Sequence, residues 1–250
     1  MKNAFLSGVK EGLVFRFLAG IIAVVMILGI SLAEPFVKLI RDFKLQPNGY
    51  LDSIFITSLS SDIFTSFVPI IATLPYGGNF IDGVKSKFVR FYIVRSGYTK
   101  YLLSRIFSCF LLGGIVIDIG VVIAYIFCAL LILPIELVAS EECVLCSKLI
   151  SHLLTLYLSG GFWALFGMAM STVMESKYIA YASPFVMYYL LVILHERYFP
   201  NLYLIYPKEW MNPSLDWPWG ELGMSFIVFE LSTLMGIIFF VRGKRRLEQL

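Results

Sequence analysis

Two acidic side chains stand inside long apolar stretches of this sequence, where a charge could do chemistry. Asp118 and Glu230 each have more than five apolar or small neighbours on at least one side. A carboxylate at membrane depth is unfavourable and tends to face protein or water. Two interpretations stay open for both acids: a contact for a cation or a substrate, or a hydrogen-bonded acid that fixes helix packing.

The cysteines and histidines give weaker evidence for a chemical site than the two acids. Cys143 and Cys146 form a C-x-x-C pair, which predicts either a local disulfide closing a very small loop or an incidental pair. The two histidines, His152 and His195, belong to no paired ligand motif. We therefore predict neither a catalytic centre nor a metal site.

A glycine-rich segment at 78–86, GNFIDGVKS, is superficially similar to a phosphate-binding loop. That loop needs Lys directly after Gly, so that the amides and the ammonium converge on the same phosphates. Here Val84 separates Gly83 from Lys85. We therefore predict no nucleotide site and no ATPase activity in this chain, which is not itself expected to be an enzyme.

The composition indicates which elements must position these residues. Of 250 residues, 59% are hydrophobic and 15% are charged, and the mean hydropathy is +0.83. An ordinary soluble domain has about 25% charged residues. One soluble core of this size could not bury so much apolar surface. The sequence therefore predicts an all-α polytopic membrane protein and argues against a disordered chain, a nucleic-acid binder or a disulfide-rich secreted domain.

Six stretches approach the length of a transmembrane helix, which is about 20 residues. They lie at about 17–33, 63–76, 106–133, 149–170, 179–194 and 223–241, in one domain covering 1–250. Cytoplasmic termini would place fourteen Lys and Arg residues inside and six outside, which favours that orientation. Ser31-Leu32-Ala33 resembles a signal cleavage site, but the apolar run before it is long, so we expect a retained first span.

Small residues mark the fourth predicted span. Gly160 with Ala164, and Gly167 with Ser171, are small-x-x-x-small pairs. Such pairs let helix backbones approach closely. We expect them to serve tight packing within one subunit rather than a dimer face.

The segment at 77–105, between the second and third spans, is strongly basic. Asp82 is its one acid, and Phe80, Val84, Phe88 and Phe91 fall near one helical face that Lys87 interrupts. Its basic residues are Lys85, Lys87, Arg90, Arg95, Lys100 and Arg105. Two interpretations stay open: a basic loop that touches anionic headgroups, or a cytoplasmic helix that docks a partner protein.

An aromatic, proline-rich segment at 195–222 precedes the last span. It contains Trp210, Trp217 and Trp219, three of the four tryptophans. Aromatic rings with a polar group favour the membrane interface. We expect short broken helices here, which serve either as interfacial anchors or as an outer gate over a substrate path.

Taken together, these features resemble the membrane subunit of ABC-2 type transporters, which have the type V exporter fold. The likeness extends over essentially the whole chain: an amphipathic N-terminal stretch, six spans, a basic helix between spans two and three, and a broken outer segment before span six. The most motif-like part is Asp82-Gly83, then Val94-Arg95-Ser96-Gly97-Tyr98 and Lys100-Tyr101-Leu102.

The resemblance implies a dimer with a second copy or a paralogue in the cell membrane, surrounded by lipid. It also implies cytoplasmic ABC ATPase subunits, which would hold ATP and magnesium. Spans one, two and five would line a path that exports a peptide, a drug or a lipid-like molecule, for example in self-immunity to an antimicrobial peptide. The ATPase-coupling candidates are Asp82, Gly83, Lys85, Arg90, Arg95 and Gly97. No nucleic-acid partner is expected.

Two other functions stay open at this point. The chain could be a membrane anchor or sensor without transport activity. Alternatively, it could be an ion-coupled carrier in which Asp118 or Glu230 takes up a proton.

Overall fold

The computed structural model describes residues 15–42, 49–85, 89, 93, 97–132, 134, 144–213, 217 and 221–248. Within these ranges the chain is almost entirely helical and contains no strand, so the predicted all-α class is confirmed. The helices are α1 Phe15–Asp42, α2 Tyr50–Leu59, α3 Asp62–Thr73, α4 Asn79–Lys85, α5 Tyr98–Ile132, α6 Val144–Met174, α7 Lys177–Arg197, α8 Pro207–Met211 and α9 Glu221–Glu248.

Five of the described helices, α1, α5, α6, α7 and α9, are long and apolar enough to cross a membrane. The pair α2 and α3 adds a sixth crossing if the two helices are one broken span. A multi-pass membrane protein is therefore the coarse class of this chain. The helices extend beyond most of the predicted stretches, because their polar ends also form helical turns.

The second span differs from its predicted form, a single helix at 63–76. Helices α2 and α3 meet at an angle of 61°. Ser61 is extended there, and its side chain accepts a hydrogen bond from the backbone N–H of Phe64 at 3.3 Å, which caps α3. A serine N-cap starts a new helix and ends continuity with the previous one. The second predicted stretch is therefore part of a bent pair of helices that begins at Tyr50.

Helix α1 shows how a membrane helix differs from a soluble amphipathic one. Its buried stripe includes Val24, Leu28 and Leu32, at four-residue spacing. The exposed side of the same helix includes Ile22 and Met26, which are equally apolar. A helix that is apolar on all sides fits an apolar surrounding.

Helix α6 is the centre of the bundle. In α6, 72% of the membrane-length stretch is buried, against 28–39% in the other four spanning helices. It packs against α3, α5, α7 and α9. The remaining helices are arranged around it.

Glycines allow α5 and α6 to approach at backbone distance. A Cβ atom on Gly160 would lie 2.8 Å from the carbonyl oxygen of Gly113, and one on Gly114 would lie 2.5 Å from Tyr157. On the other side of α6, a Cβ on Gly167 would lie 2.8 Å from Thr73 of α3. Packing of these small residues within one chain is thus confirmed.

The turn between α6 and α7 contains one residue in a left-handed conformation. Glu175 has φ of 59°, which is uncommon outside glycine. Arg246 of α9 forms an ion pair with Glu175 at 2.8 Å and donates a hydrogen bond to the Thr172 carbonyl, also at 2.8 Å. The last turn of α9 thereby holds the turn in place.

We expect Gly167→Leu to destabilise the protein, because the new side chain would meet the backbone of α7 as well as Thr73. A Cβ at this position would come closer than 3.0 Å to the Ala180 carbonyl oxygen. Overpacking of this kind lowers the free energy of unfolding by about 1–3 kcal/mol. Thermal unfolding in detergent measures the change.

Gly29→Leu is the matched control, since nothing lies within 4 Å of a Cβ at that position. An equal loss of stability in both variants would contradict the packing described for α6.

Candidate functional site

The short helix α4 lies between the second and third spans and packs against the helical bundle. Phe80 and Ile81 are fully buried. The Phe80 ring contacts Phe239 of α9 edge-to-face, with centroids 4.8 Å apart. The apolar side of α4, on which the sequence placed Phe80 and Val84, therefore faces the other helices.

The turn before α4 fits closely against the start of α7. A Cβ on Gly78 would lie 2.9 Å from the Tyr181 hydroxyl, and one on Gly77 would lie 3.4 Å from the Ala180 side chain. Gly78, the first glycine of the segment that resembled a phosphate loop, thus allows the close approach of Tyr181.

Asp82 connects α4 to two spanning helices. Its carboxylate lies 3.9 Å from the Arg16 guanidinium of α1 and 3.7 Å from the Lys177 ammonium of α7. Both cations stand at the first turn of their helices. One acid therefore bridges two spans that are far apart in sequence.

Arg16 adds two hydrogen bonds to this arrangement. It donates to the Asn79 side-chain oxygen at 2.7 Å and to the Tyr181 hydroxyl at 3.4 Å. We call this group, formed by Arg16, Asn79, Asp82, Lys177 and Tyr181, the α4 cluster. The cluster joins α1, α4 and α7 at one end of the bundle.

A buried arginine stands at the beginning of α5. Arg105 is 5% exposed and donates a hydrogen bond to the Tyr76 hydroxyl. Its guanidinium also lies 4.9 Å from the centre of the Tyr101 ring, in cation–π contact. The turn between α3 and α4 is therefore held to α5 as well.

The predicted coupling residues have different positions. Asp82 belongs to the α4 cluster, Gly83 lies next to it in α4, and Lys85 is exposed at the end of α4. Gly97 has φ of 76° and donates its N–H to the Ile93 carbonyl at 2.8 Å, so glycine is needed for the turn before α5. Arg90 and Arg95 lie outside the described residues.

Sequence reasoning missed both ion-pair partners of Asp82, which are Arg16 and Lys177. In the sequence these two residues are only basic residues near the ends of apolar stretches. Their common signal is a polar residue at a span boundary, which indicates a membrane end. A polar residue at a span boundary does not indicate which other span ends lie next to it in the folded protein.

The two acids in the spans have different surroundings. One carboxylate oxygen of Asp118 is buried and has no hydrogen-bond partner among the described residues. Tyr157 of α6 is near enough to interact with Asp118 electrostatically. Glu230 is exposed on α9. Asp118 therefore faces protein, and Glu230 faces the surroundings of the bundle.

At the opposite end, α8 inserts into the bundle. Trp210 is buried, and its ring lies 5.3 Å from Phe162 and 5.8 Å from Trp163 between centroids. Thr155 and Ser159 of α6 donate hydrogen bonds to the backbone carbonyls of Met211 and Trp210. Short helices in this segment were predicted and are present, but Trp210 is a core residue and not an interfacial anchor.

The other two tryptophans of this segment differ from Trp210. Trp217 is half-buried and donates to a carboxylate oxygen of Glu209 at 3.4 Å. Trp219 lies outside the described residues.

An ion pair fixes α8 to the bend of the second span. The Lys208 ammonium lies 2.7 Å from the Asp62 carboxylate. Burial opposes the charged form of Lys208, but its hydrogen bonds with Asp62 and Tyr206 outweigh this, so the pKa of Lys208 is above its usual value. Asn212 also donates to Ser60 in the bend. Helix α8 is thus attached to α2, α3 and α6.

The cysteine pair cannot be placed, because Cys143 and the side chain of Cys146 lie outside the described residues. Cys109 and Cys128 are buried and free, as expected for small apolar residues. Among the described residues, no group of three His, Cys, Asp or Glu side chains could hold a metal ion.

The α4 cluster therefore joins α4 to α1 and α7 through ion pairs, and a buried aromatic contact joins α4 to α9. The members of the α4 cluster are one acid, two cations, an amide and a phenol, and the contacts that join them are hydrogen bonds and ion pairs. The cluster and the inserted helix α8 mark the two ends of the same bundle. Compared with known proteins, the chain matches no protein-family model and no curated protein.

Proposed function

We propose that this chain is the membrane subunit of an ATP-driven exporter of the ABC-2 type. Two copies, or one copy and a paralogue, would assemble with cytoplasmic ATPase subunits that bind ATP and magnesium. The observation that carries the proposal is the double ion pair of Asp82. These ion pairs link α4, which lies in the basic segment between the second and third spans, with the first turns of α1 and α7.

The charge distribution supports a cytoplasmic position for α4. Arg16 and Lys177 stand beside α4, and Arg246 stands at the end of α9, whose Phe239 contacts Phe80. The basic ends of α1, α7 and α9 therefore meet on one side of the bundle. Basic residues favour the cytoplasmic side of a membrane.

The ion pairs and the apolar contacts of α4 contribute different amounts of free energy to its attachment. The Asp82 carboxylate is 40% exposed, and its ion pairs are 3.7–3.9 Å long. Such pairs contribute at most about 1 kcal/mol each. Burial of one side chain the size of Phe80 or Ile81 contributes about 1.5–3 kcal/mol relative to water. Apolar contacts thus attach α4 to the bundle, and the ion pairs select which helices follow its motion.

The proposed substrate path follows the exposed sides of α1, α3 and α7. Helix α3 packs against both α1 and α7. Large apolar side chains are exposed on each of these helices, for example Met26, Phe67 and Tyr189. In the proposed dimer these faces meet the second subunit and enclose a path for a peptide, a drug or a lipid-like molecule.

Purification from native membranes tests the assembly. The tagged chain, extracted in mild detergent, should retain a soluble partner that contains a phosphate-binding loop and hydrolyses ATP. Mass spectrometry of the co-purified proteins identifies it. A preparation that hydrolyses no ATP and contains no such protein would contradict the exporter function.

We expect Asp82→Asn to weaken the transmission of ATP binding across the bundle while ATP hydrolysis continues. The substitution removes both ion pairs and keeps the shape of the side chain. The ATP-induced change in tryptophan fluorescence of the intact complex measures the transmission, because Trp163 and Trp210 lie at the end of the bundle opposite α4. Loss of about 1 kcal/mol of coupling would reduce the equilibrium constant of the ATP-induced change about fivefold.

Glu175→Gln is the matched control, since it removes the ion pair with Arg246 and leaves α4 untouched. A response that is equally reduced in both variants would show that Asp82 has no special part in coupling.

A second candidate function, an ion-coupled carrier, is favoured by one observation, the buried oxygen of Asp118 without a hydrogen-bond partner among the described residues. A carboxylate in that position can take up a proton. It can equally be a neutral packing element. Glu230 is exposed on α9 and has no comparable burial.

Under the exporter proposal, Asp118→Asn should leave proton permeability unchanged. The amide has the same shape as the carboxyl group but does not take up a proton at neutral pH, so it tests a proton site without a change of shape. Proteoliposomes with an internal pH-sensitive dye measure proton entry under an imposed gradient. Proton entry that the wild type shows and Asp118→Asn abolishes, with Asp118→Glu retaining it, would favour the carrier instead.

A further inference from the structure

A lateral groove runs between α5 and α9, away from the α4 cluster. Its volume is about 570 Å³. Leu103, Phe107 and Phe110 line it from α5, and Phe229, Ile237 and Phe240 line it from α9. A cavity of this size is in the range of ligand sites, which have about 300–1,000 Å³.

Two of the three polar side chains in the groove wall are turned to their own helix, and the third is Thr99. Ser232 donates to the Val228 carbonyl and Thr233 to the Glu230 carbonyl, each at 2.8 Å. Gly236 has no side chain and so leaves room at the base of the groove. A Cβ atom added to Gly236 would lie 3.5 Å from the Ile106 side chain, which is its nearest neighbour. The groove therefore presents an apolar surface that suits a hydrocarbon chain.

The groove opens sideways, towards the lipid. Leu103, Phe107 and Ile237 are 40%, 55% and 59% exposed, respectively. The lining on α5 runs from Thr99 to Phe110, and eleven helical steps span about 16 Å. This length is about half of a hydrocarbon core of about 30 Å, so the groove covers one leaflet.

Lysines stand at the end of the groove nearest to α4. Lys100 precedes Leu103 and Phe107 on one stripe of α5, with helical spacing of three and seven residues. Lys244 continues the stripe of Ile237 and Phe240 on α9 in the same way. Both lysines are exposed. By this spacing, Lys100 and Lys244 stand on the same helix faces as the apolar side chains that line the groove.

One acid competes for Lys244. Glu248 lies 3.9 Å from its ammonium, with both side chains about half exposed. An exposed pair of this length on one helix is weak. Lys244 is thus able to turn to a phosphate group.

We propose that this groove binds one phospholipid with an anionic headgroup. One acyl chain lies between α5 and α9, and the headgroup phosphate contacts Lys100 and Lys244. Basic pockets between membrane helices recognise anionic headgroups in the same way. The proposal needs a membrane around the helices but does not rest on the exporter function.

The site has a structural consequence for α9. Phe240 lines the groove, whereas its neighbour Phe239 contacts Phe80 of α4. Gly243 lies against Leu102 of α5 on the same side as Phe80. A bound lipid therefore supports α9 at the level where α4 packs.

Native mass spectrometry of the purified full chain in uncharged detergent tests the site. The probes are dioleoyl phosphatidylglycerol and dioleoyl phosphatidylcholine, which share their acyl chains. We expect tighter binding of phosphatidylglycerol. Lys100→Gln and Lys244→Gln should each weaken it about fivefold, the scale for one basic residue near an anionic membrane surface. Phosphatidylcholine binding should not change.

Two further variants separate the acyl chain from the headgroup. Gly236→Leu fills the base of the groove and should weaken the binding of both lipids. Lys38→Gln is the matched control, because Lys38 also forms an exposed pair with the residue four positions away, Glu34, but stands on α1. Its phosphatidylglycerol binding should equal that of the wild type.

Equal binding of the two lipids by the wild type would overturn the proposal, and so would an unchanged affinity in both lysine variants. Loss of a dimer in Gly236→Leu would assign the groove to a second copy of the chain instead.

Should variants fail to fold, photoactivatable phosphatidylglycerol labels the wild type directly. Adducts in 99–110 and 229–240 support the site, and labelling elsewhere or equal labelling by the phosphatidylcholine analogue contradicts it.

Discussion

The close contact of α5 with α6 is the constraint on which the rest of the bundle depends. Lipid chains are as apolar as the side chains they would replace, so helices in a membrane gain little from burying apolar surface alone. They gain van der Waals contact when their backbones lie close together, and Gly113, Gly114 and Gly160 allow α5 and α6 to do so. Because α6 is buried between α3, α5, α7 and α9, the position of each neighbour is set relative to this contact.

The two ends of the bundle are built differently. At one end, charged side chains of α1, α4 and α7 meet on Asp82, in contacts that are partly exposed. At the other end, α8 is inserted among aromatic rings around Trp210, and its backbone carbonyls accept hydrogen bonds from α6. Exposed ionic contacts are weaker than buried packing. The ion pairs of Asp82 are therefore easier to rearrange than the packing around Trp210, although Phe80 and Ile81 are fully buried at the α4 end.

The spanning helices could be predicted because their apolar stretches are long. The bend of the second span was missed, since α2 contains hydroxyl groups that lower its hydropathy. Ser58 and Thr57 donate to carbonyls of their own helix, at 2.9 Å and 2.8 Å, and this hides their polarity. The early start of α5 was missed for a similar reason: the charge of Arg105 is covered by Tyr76 and Tyr101. For the candidate site, sequence indicated Asp82 and its basic neighbourhood, but its partners come from α1 and α7 and depend on tertiary structure.

The left-handed residue between α6 and α7 has a consequence for how the bundle can change shape. Only Glu175 and Ser176 connect the two helices, and Arg246 clamps the first of them. Such a connection has no slack, so α7 can tilt only together with the central helix. Seven residues separate α1 from α2, and α1 packs on fewer neighbours. A displacement of α7 is therefore passed on directly to the central helix α6, whereas α1 has no such short connection to α6.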